Sequence, residues 1–430
     1  MEITMDQSLI DRIKEDMRYE FARTAPPEGF PKFHDISVQR HTSREFFELE
    51  QEHVFGKSWV IAGRAEDVTG PGDYFTFDDL GDPLLIVRGT DGIVRCFYNT
   101  CQHRGAPVVR EAKGSARRLR CQYHSWTYEI DGGTLVALPD ERDFVELDWE
   151  QRCLPQISCE VFAGFVFVNK DPEAAPLADW IGDAAEMFAP FQADTLREVY
   201  RESVIIPCNW KVTAEAFLEV YHFKHIHSHN GVSVLDSAGA AMGLYPNGHS
   251  RMITPYSKQN CARLGMDSWD DWKPLAAPVG DVIETVPDMV SCTSTAVSLF
   301  PNVIIPLGPS GFPINVFWPI DERTTRLDWI YYARKDWEGD ELPADWQARR
   351  VAYNGIMAED QQNMAPMQQS LESPALTGIP INYQERRIWH LHEQIDRMIG
   401  ADQVPEHLRM QQLLDPYVEH KATQRDQRCM

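Results

Sequence analysis

Two cysteine–histidine pairs lie close together in the first third of the chain, with a spacing that suits a metal centre. Cys101 and His103 form a C-x-H pair, and Cys121 and His124 form a C-x-x-H pair after 17 intervening residues. Four such ligands on two short loops could hold a tetrahedral zinc ion. They could also hold a Rieske [2Fe-2S] cluster, in which two cysteines bind one iron and two histidines bind the other. The residue types and their spacing leave both centres open.

A second set of metal-binding residue types follows later in the chain. The segment from Asn209 to His222 is predicted to be helical, and at 100° per residue Glu215, Glu219 and His222 share one face. His227 comes five residues after His222, so both can bind one metal only if the helix distorts or ends between them. Two histidines and a carboxylate on one side of an iron form the facial triad of non-haem Fe(II) oxygenases, which leaves open positions for O2.

The residues around these ligands closely resemble those of a known family. The segments 99–106 and 121–128, and the helix that opens with Asn-Trp-Lys at 209–211, are similar to the metal-binding segments of Rieske non-haem iron oxygenases. These are the alpha (terminal oxygenase) subunits of the ring-hydroxylating dioxygenase and quaternary-ammonium monooxygenase superfamily. The resemblance extends over 46–400, with one departure at Ser125, where the family usually has glycine.

The resemblance implies a role for each ligand. It implies that a [2Fe-2S] Rieske cluster is held by Cys101, His103, Cys121 and His124, and mononuclear Fe(II) by His222, His227 and Asp360. Glu219 is the implied catalytic residue, because it occupies the position of an acid that links an iron-binding histidine to a cluster-binding histidine of a neighbouring subunit. Ring-hydroxylating members commonly have aspartate there, whereas glutamate is similar to the branch that acts on quaternary ammonium compounds and to other homotrimeric members.

Several neighbouring residues are alternatives for these roles. His225 and His229 could replace one of the two histidines, although each is more simply a surface or supporting residue, and Glu359 could replace Asp360. Aromatic and aliphatic residues near the ligands are candidates for a substrate pocket, although such residues more often belong to an ordinary core. The pocket candidates are Phe217, Val220, Phe223, Leu299, Asn302 and Phe317.

The elements that must position the ligands fall into three segments. Residues 1–44 are predicted to form an N-terminal helix (7–23) and a linker that packs on the catalytic domain. Residues 45–170 contain short apolar runs separated by Gly, Asp and Pro turns, which predicts a small all-β domain that carries the cluster. Residues 171–430 form the catalytic mononuclear iron domain, with strands between 290 and 335 and helices near 344–370 and 384–399. The expected fold class is α+β, and the resemblance implies a Rieske domain plus a helix-grip-like domain with an antiparallel sheet.

The composition excludes several classes of function. A net charge of -24 and a pI of about 5.0 weigh against broad electrostatic binding to nucleic acid or to an anionic membrane surface. Nothing resembles a signal peptide and no run of 18 apolar residues occurs, so we expect a cytoplasmic protein without a membrane span. The nine cysteines are an odd number without an export signal, which favours a metal site over a disulfide framework.

A local excess of positive charge lies between the two cluster-ligand pairs. It consists of Arg104, Arg110, Lys113, Arg117, Arg118 and Arg120. This patch could dock an acidic ferredoxin or a flavin reductase, although most charge runs are only solvated surface. The resemblance further implies that electrons from NADH arrive through a separate reductase, with or without a ferredoxin, and that the subunits form a head-to-tail homotrimer.

The implied function is that of a terminal oxygenase component. It would use NADH-derived electrons and O2 to hydroxylate an aromatic or other apolar organic substrate, as in aromatic catabolism. One alternative is a monooxygenase that dealkylates a quaternary amine or a methyl ether. Outside the enzymes, the alternatives are a Rieske electron-transfer protein, against which the second metal motif speaks, and a zinc-bound interaction protein.

Overall fold

The structure is a computed structural model that describes residues 5–229, 232–339 and 341–419 of the 430-residue chain. The chain divides into two compact units. One unit is Glu52–Trp180, and the other combines Met1–Gln51 with Ile181–Met430. The N-terminal segment is therefore part of the same compact unit as the C-terminal half.

In the described part of the chain, the helices range from single turns to one of 28 residues. The helices are α1 Gln7–Ala22, α2 Gln39–Thr42, α3 Arg44–Leu49, α4 Leu177–Ile181, α5 Trp210–Glu215, α6 Phe223–Ile226, α7 Lys258–Arg263, α8 Asp288–Ser291, α9 Ala344–Leu371 and α10 Arg386–Ile399. The predicted helices at 7–23, 344–370 and 384–399 are confirmed as α1, α9 and α10. No described helix is long and apolar enough to cross a membrane.

The strands pair almost entirely in antiparallel sheets. They are β1 Ile36–Ser37, β2 Val60–Arg64, β3 Asp73–Phe77, β4 Leu84–Arg88, β5 Val94–Tyr98, β6 Lys113–Ser115, β7 Leu119–Arg120, β8 Thr127–Tyr128, β9 Leu135–Ala137, β10 Gln156–Phe162, β11 Phe165–Asn169, β12 Arg197–Ile206, β13 Ser228–His229, β14 Val232–Ser233, β15 Ala241–Leu244, β16 Ser250–Pro255, β17 Thr293–Leu299, β18 Val303–Leu307, β19 Gly311–Asp321, β20 Thr324–Ala333 and β21 Gly378–Ile379.

The unit Glu52–Trp180 is built from β-strands around one core. Its seven-stranded sheet has the order β2-β11-β10-β5-β4-β3-β6, and a three-stranded sheet has the order β7-β8-β9. The inner strand β4 contains a continuous apolar run, Leu84–Val87, and all four of these side chains are fully buried, as in a strand covered on both faces. The predicted all-β character of this region is confirmed.

The other unit is built on a second seven-stranded antiparallel sheet. Its order is β12-β20-β19-β18-β17-β16-β15, so consecutive hairpins account for most of it. The long helix α9 packs on β12, and the short helix α5 packs on β19 and on α9. This sheet with its helices confirms the α+β fold class, and it places α5 and α9, the two helices that lead to the predicted iron ligands, side by side.

Candidate metal centres and substrate cavity

The helix that begins at Trp210 is shorter than predicted. It ends at Glu215, and the N–H groups of Phe217 and Leu218 then reach only three residues back along the chain. The freed carbonyl of Leu218 accepts a hydrogen bond of 3.3 Å from Nη1 of the buried Arg387, which satisfies it outside the helix. A second short helix, α6, begins only at Phe223.

The early end of α5 separates residues that the sequence had placed on one helical face. Glu215 points into a buried cluster with His41 and His392, whereas Glu219 lies beside His222. The prediction of one shared face is therefore wrong. His222 and His227 instead flank α6, a single turn that ends at Ile226, so the helix ends between the two histidines as their five-residue step requires.

The Asn-Trp-Lys segment at 209–211 anchors the start of α5 through hydrogen bonds. The side chain of Asn209 accepts from the N–H of Lys211 at 3.0 Å and so caps the helix. The backbone N–H of Asn209 donates to Gln368 Oε1 on α9 at 2.9 Å. Trp210 Nε1 and Lys211 Nζ both donate to the buried carboxylate of Glu50, at 3.0 and 2.8 Å. These contacts tie the start of α5 to the helix that carries Asp360.

The three predicted iron ligands converge on one point. His222 Nε2 lies 3.2 Å from His227 Nε2 and 3.6 Å from Asp360 Oδ1, and His227 Nε2 lies 3.1 Å from the same carboxylate oxygen. Ligand atoms about 2.1 Å from one metal and at right angles to each other are about 3 Å apart. The three atoms therefore have the separations that one face of a metal ion requires.

The other ring nitrogens decide which tautomer each histidine adopts. His222 Nδ1 donates to Glu219, and His227 Nδ1 donates to Glu359 Oε2 at 2.7 Å. With Nδ1 protonated, each neutral ring presents an unprotonated Nε2 toward the other and toward Asp360. The lone pairs of these two nitrogens and of the Asp360 oxygen face one another and would repel. A metal ion between the three atoms would remove this repulsion.

The alternative ligands are placed as follows. His225 is exposed, and its ring lies near that of Tyr221 rather than with the three converging atoms. Glu359 bonds His227 at Nδ1, away from the three converging atoms, whereas Asp360 lies at Nε2. Asp360 is therefore the carboxylate beside the candidate metal position. The side chain of His229 lies outside the described part of the structure.

A second histidine–carboxylate cluster has a superficially similar composition. Glu215 Oε1 lies 2.7 Å from His41 Nε2 and 2.8 Å from His392 Nε2. However, Nε of Arg40 donates to His392 Nδ1 at 2.9 Å. An arginine cannot accept a hydrogen bond, so Nδ1 of His392 is unprotonated and its Nε2 carries the proton that bonds Glu215. This cluster is therefore a hydrogen-bonded network rather than a metal site.

The two loops with the cluster ligands have the same backbone design. The N–H of Gly105 donates to Cys101 O and that of Ser125 donates to Cys121 O, both at 2.9 Å. Gly105 has a φ of 74° and Ser125 a φ of 62°, so each loop turns back through a left-handed residue. Glycine adopts this conformation without strain, but serine does not, so the departure at Ser125 is energetically unfavourable by about 1 kcal/mol.

The side chains of these loops fit a two-iron cluster better than a single ion. Cys101 and Cys121 are buried, whereas the partly exposed rings of His103 and His124 lie 4.6 Å apart. Within the described ranges, no three of these four residues bring their ligand atoms within 4.8 Å of one another, as tetrahedral zinc would require. The ring of His103 stacks on Trp126, and its Nδ1 is buried without a hydrogen-bond partner, which leaves it available to a metal.

Two family models match the chain and agree with this geometry. Residues 58–155 match the Rieske [2Fe-2S] domain, and residues 193–401 match the ring hydroxylating alpha subunit (catalytic domain). The chain belongs to the Rieske ring-hydroxylating oxygenase alpha subunits. Family membership confirms the predicted [2Fe-2S] cluster, and the catalytic-domain match together with the His/His/Asp set implies mononuclear iron.

Relatives within this family act on different substrates. The 2-aminobenzenesulfonate 2,3-dioxygenase subunit alpha of Alcaligenes sp. is 33% identical over 251 residues, which are 57% of this chain and 63% of the relative. The carnitine monooxygenase oxygenase subunit of Acinetobacter pittii is 35% identical over 190 residues, 44% of this chain and 51% of the relative. The chain thus spans between half and two thirds of the length of these relatives.

A solved structure in the family has the same fold. It is a quaternary ammonium Rieske monooxygenase, which aligns with a TM-score of 0.70 at 22% identity over 88% of this chain and 100% of the other. At this identity the likeness shows the fold alone. Any inference about substrate class therefore has to rest on this chain's own residues.

A cavity of about 450 Å³ lies next to the three converging ligands. Of the predicted pocket residues, Phe217 and Phe223 line it, whereas Val220, Leu299, Asn302 and Phe317 do not. Val220 instead packs in a small core cluster with Ala240, Met242 and Met252. All four are buried, so the alternative of an ordinary core residue holds for them; helical and strand periodicity does not reveal which face borders the cavity.

Two residues near the metal sites have contacts that the sequence did not suggest. Glu359 was considered only as a rival to Asp360, yet it orients His227. Tyr128 places its hydroxyl 3.3 Å from Cys101 Sγ and accepts from the N–H of Gln102 at 3.0 Å, so its own proton is directed to the sulfur. The general rule that histidine ligands carry a hydrogen-bonded carboxylate could have pointed to Glu359.

Proposed function

We propose that this protein is a terminal oxygenase that uses NADH-derived electrons and O2 to hydroxylate an aromatic or other apolar organic substrate. The observation that carries this proposal is the convergence of His222 Nε2, His227 Nε2 and Asp360 Oδ1 at the edge of a largely apolar cavity. A Rieske electron-transfer protein would need neither the second metal site nor the cavity.

Each site residue has a distinct part in this proposal. His222, His227 and Asp360 would hold the Fe(II), and Cys101, His103, Cys121 and His124 would hold the [2Fe-2S] cluster. The bound iron supplies O2 activation, and the cluster supplies electrons. Glu219 and Glu359 hold the Nδ1 protons of the two histidines, which keeps both Nε2 atoms directed at one point. Phe217 and Phe223 help to exclude water from the cavity.

We infer a head-to-tail homotrimer in which Glu219 links His222 to a cluster-binding histidine of a neighbouring subunit. Glu219 already contacts His222 through one carboxylate oxygen, while its other oxygen accepts from backbone N–H groups of the same turn. The solved quaternary ammonium monooxygenase is described as revealing inter-subunit electron transfer, which supports the inference. Light scattering on the full chain should give three times 49.3 kDa, and a monomer at working concentration would contradict it.

We further propose that a ferredoxin or a flavin reductase docks on the basic patch. All six residues, Arg104, Arg110, Lys113, Arg117, Arg118 and Arg120, are exposed, although Lys113 pairs with Asp67 at 2.6 Å. A double change of Arg117→Glu and Arg118→Glu should slow cluster reduction and weaken its dependence on salt. An unchanged rate and salt dependence would exclude this patch as the docking surface.

A cytoplasmic location fits such soluble donors and is part of the same proposal.

Monooxygenation or dealkylation of a quaternary amine or methyl ether is the second candidate. Two features favour it: glutamate at position 219, and the similarity to a carnitine monooxygenase oxygenase subunit. Aromatic side chains of the cavity, such as Tyr256 and Phe223, could bind a quaternary ammonium group through cation–π contacts.

Single-turnover oxidation with isotopically labelled O2 tests the proposal. Reduced, iron-loaded full-length protein would be mixed with aromatic acids, phenolic ethers or trimethylammonium compounds, and products read by mass spectrometry. With the wild type we expect labelled oxygen in the product of one substrate class, and with Asp360→Ala we expect no labelled product. Asp336→Ala removes an exposed carboxylate and serves as the matched control, which should keep full turnover. Equal turnover by Asp360→Ala would overturn the proposal.

A further inference from the structure

The cavity runs along one face of α9 and reaches a charged residue at its far end. Asp360, Met357, Tyr353 and Arg349 all line it, and these positions recur every three to four residues. They therefore form one continuous stripe of the helix. Asp360 lies at the iron end of this stripe, and Arg349 lies three turns away at the other end.

Arg349 has no acidic partner among the described residues. Its neighbour Arg350 pairs with Glu202 at 2.5 Å, which neutralises that charge within the fold. The guanidinium of Arg349 instead lies 5.8 Å from the ring of Tyr331 and 5.9 Å from that of Tyr353. Among the described residues, the carboxylates that line the cavity are Glu359 and Asp360, at its other end.

The surroundings of Arg349 combine a cation with aromatic faces and hydroxyl groups. Tyr331 and Ser310 line the cavity with it, and Ser310 is a buried residue. Burial raises the pKa of Tyr256 and Tyr353, and the charge of Arg349 opposes this in both cases. Its positive field therefore extends into the cavity, where no carboxylate of the described residues lines that end.

We propose that Arg349 binds the acid group of an elongated organic anion, a carboxylate or sulfonate, whose apolar body fills the cavity up to the iron ligands. The inference rests on the proposed oxygenase function and narrows its substrate class. A planar guanidinium binds carboxylate and sulfonate oxygens through paired hydrogen bonds, and it does so strongly where water is largely excluded. The same positive charge disfavours a quaternary ammonium group at this end of the cavity.

The length of the helix between the two ends sets the length of the substrate. Eleven residues separate Arg349 from Asp360, which corresponds to about 16 Å along the helix axis. Helical side chains lean toward the N-terminus, so the guanidinium does not approach the iron ligands more closely than the backbone suggests. A single-ring acid such as benzoate cannot reach both ends, whereas a two-ring acid with a short alkyl chain can.

Calorimetric titration of iron-loaded, anaerobic full-length protein tests this inference. The probes are 4-(4-biphenylyl)butyrate and its methyl ester as the long pair, and benzoate and methyl benzoate as the short pair. The variants are Arg349→Gln, which removes the charge, and Arg349→Lys, which retains it. Arg334→Gln is the matched control, because it removes an exposed arginine that does not line the cavity. Melting curves would establish that each variant folds.

We expect the long acid to bind the wild type more tightly than its ester or benzoate. Arg349→Gln should weaken binding of the long acid by about 10- to 100-fold and leave the ester unchanged. Arg349→Lys should recover part of the affinity, and Arg334→Gln should match the wild type. Equal loss for acid and ester, or no binding of the long acid, would overturn the inference.

Chemical reduction of the protein after the titration, followed by admission of labelled O2, separates the two proposals. A labelled product with unchanged affinity in Arg349→Gln would retain the oxygenase function and overturn the anion subsite. Arg349-dependent binding of the long acid without any labelled product would support the anion subsite and count against oxygenation of this substrate class.

Discussion

At the scale of single residues, metal binding by His222 and His227 depends on which ring nitrogen of each histidine carries the proton. Glu219 and Glu359 each accept from Nδ1 of one histidine, and this leaves both Nε2 atoms free for a metal. The sequence indicated the two histidines because their spacing is local, whereas Asp360 was implied only by the resemblance. It did not indicate the contact between His227 and Glu359, because they are 132 positions apart and only the tertiary fold brings them together.

The role of Glu359 can be tested by removing its charge. Glu359→Gln should lower the affinity for Fe(II) by about 10- to 100-fold, since the amide holds the His227 proton less well. The measurement is a chelator competition on the full-length apoprotein. Glu338→Gln, at an exposed position, should have no effect. Wild-type affinity in Glu359→Gln would mean that this carboxylate does not orient the ligand.

The hydroxyl of Tyr128 should raise the reduction potential of the cluster. A hydrogen bond to a ligand sulfur stabilises the reduced state, and about 1 kcal/mol corresponds to about 40 mV for a one-electron couple. Tyr128→Phe should therefore lower the potential by that order, as measured by a spectroscopic redox titration. Tyr123→Phe removes an exposed hydroxyl near His124 and should leave the potential unchanged. Equal shifts in both variants would argue against a specific bond to Cys101.

At the scale of secondary-structure elements, α5 is shorter than its periodicity predicts, and a distant residue bonds the backbone that follows it. Helical periodicity predicted that it would continue past Glu215, but Arg387 takes the carbonyl of Leu218 from 169 residues away. Such a long-range hydrogen bond leaves no local signal in the sequence. The helix α10 was predictable because Ile388, Leu391 and Ile395 recur at helical spacing over several turns.

The start of α5 depends on one buried ion pair. Lys211 Nζ lies 2.7 Å from Glu50 Oε1, and neither side chain is exposed. Lys211→Met would leave the charge of Glu50 buried and uncompensated, so we expect a loss of about 3–5 kcal/mol in the free energy of unfolding. Urea titration measures this loss. Arg44→Met, which breaks the exposed pair with Glu48, should change stability little, and similar stability of both variants would contradict the account.

At the scale of the whole molecule, the α+β class and the two kinds of metal site were predictable from local motifs and the resemblance. The strand order of the large sheet was not, because β12 pairs with β20 across more than a hundred residues. Apolar alternation places residues on sheet faces but does not determine which strands become neighbours. The cavity walls depend on that order, and of the six candidates only Phe217 and Phe223 line the cavity.

Acid should destabilise the catalytic unit through the buried network of His41, Glu215 and His392. Burial, and next the charge of Arg40, lower the pKa of His392 from 6.5 to about 3 in the folded state. Below pH 6.5 the unfolded chain therefore binds more protons than the folded one, so stability falls from about pH 6.5 toward pH 3. Unfolding by urea at pH 7.5 and pH 5 should show this loss in the wild type.

Two histidine variants separate this network from other acid-sensitive groups. His392→Gln should flatten the pH dependence between pH 7.5 and pH 5, while His407→Gln, at an exposed position, should retain it. The same slope in all three proteins would contradict a role for His392.

The central claim is that two separate sets of residues hold two iron centres in this chain. Electron paramagnetic resonance of reduced, iron-loaded full-length protein, with nitric oxide as a probe of the mononuclear iron, tests it most directly. We predict a reduced-cluster signal in the wild type, in His227→Ala and in His225→Ala, and an iron–nitrosyl signal in the wild type and His225→Ala alone. A nitrosyl signal that persists in His227→Ala, or a missing cluster signal in the wild type, would contradict the account.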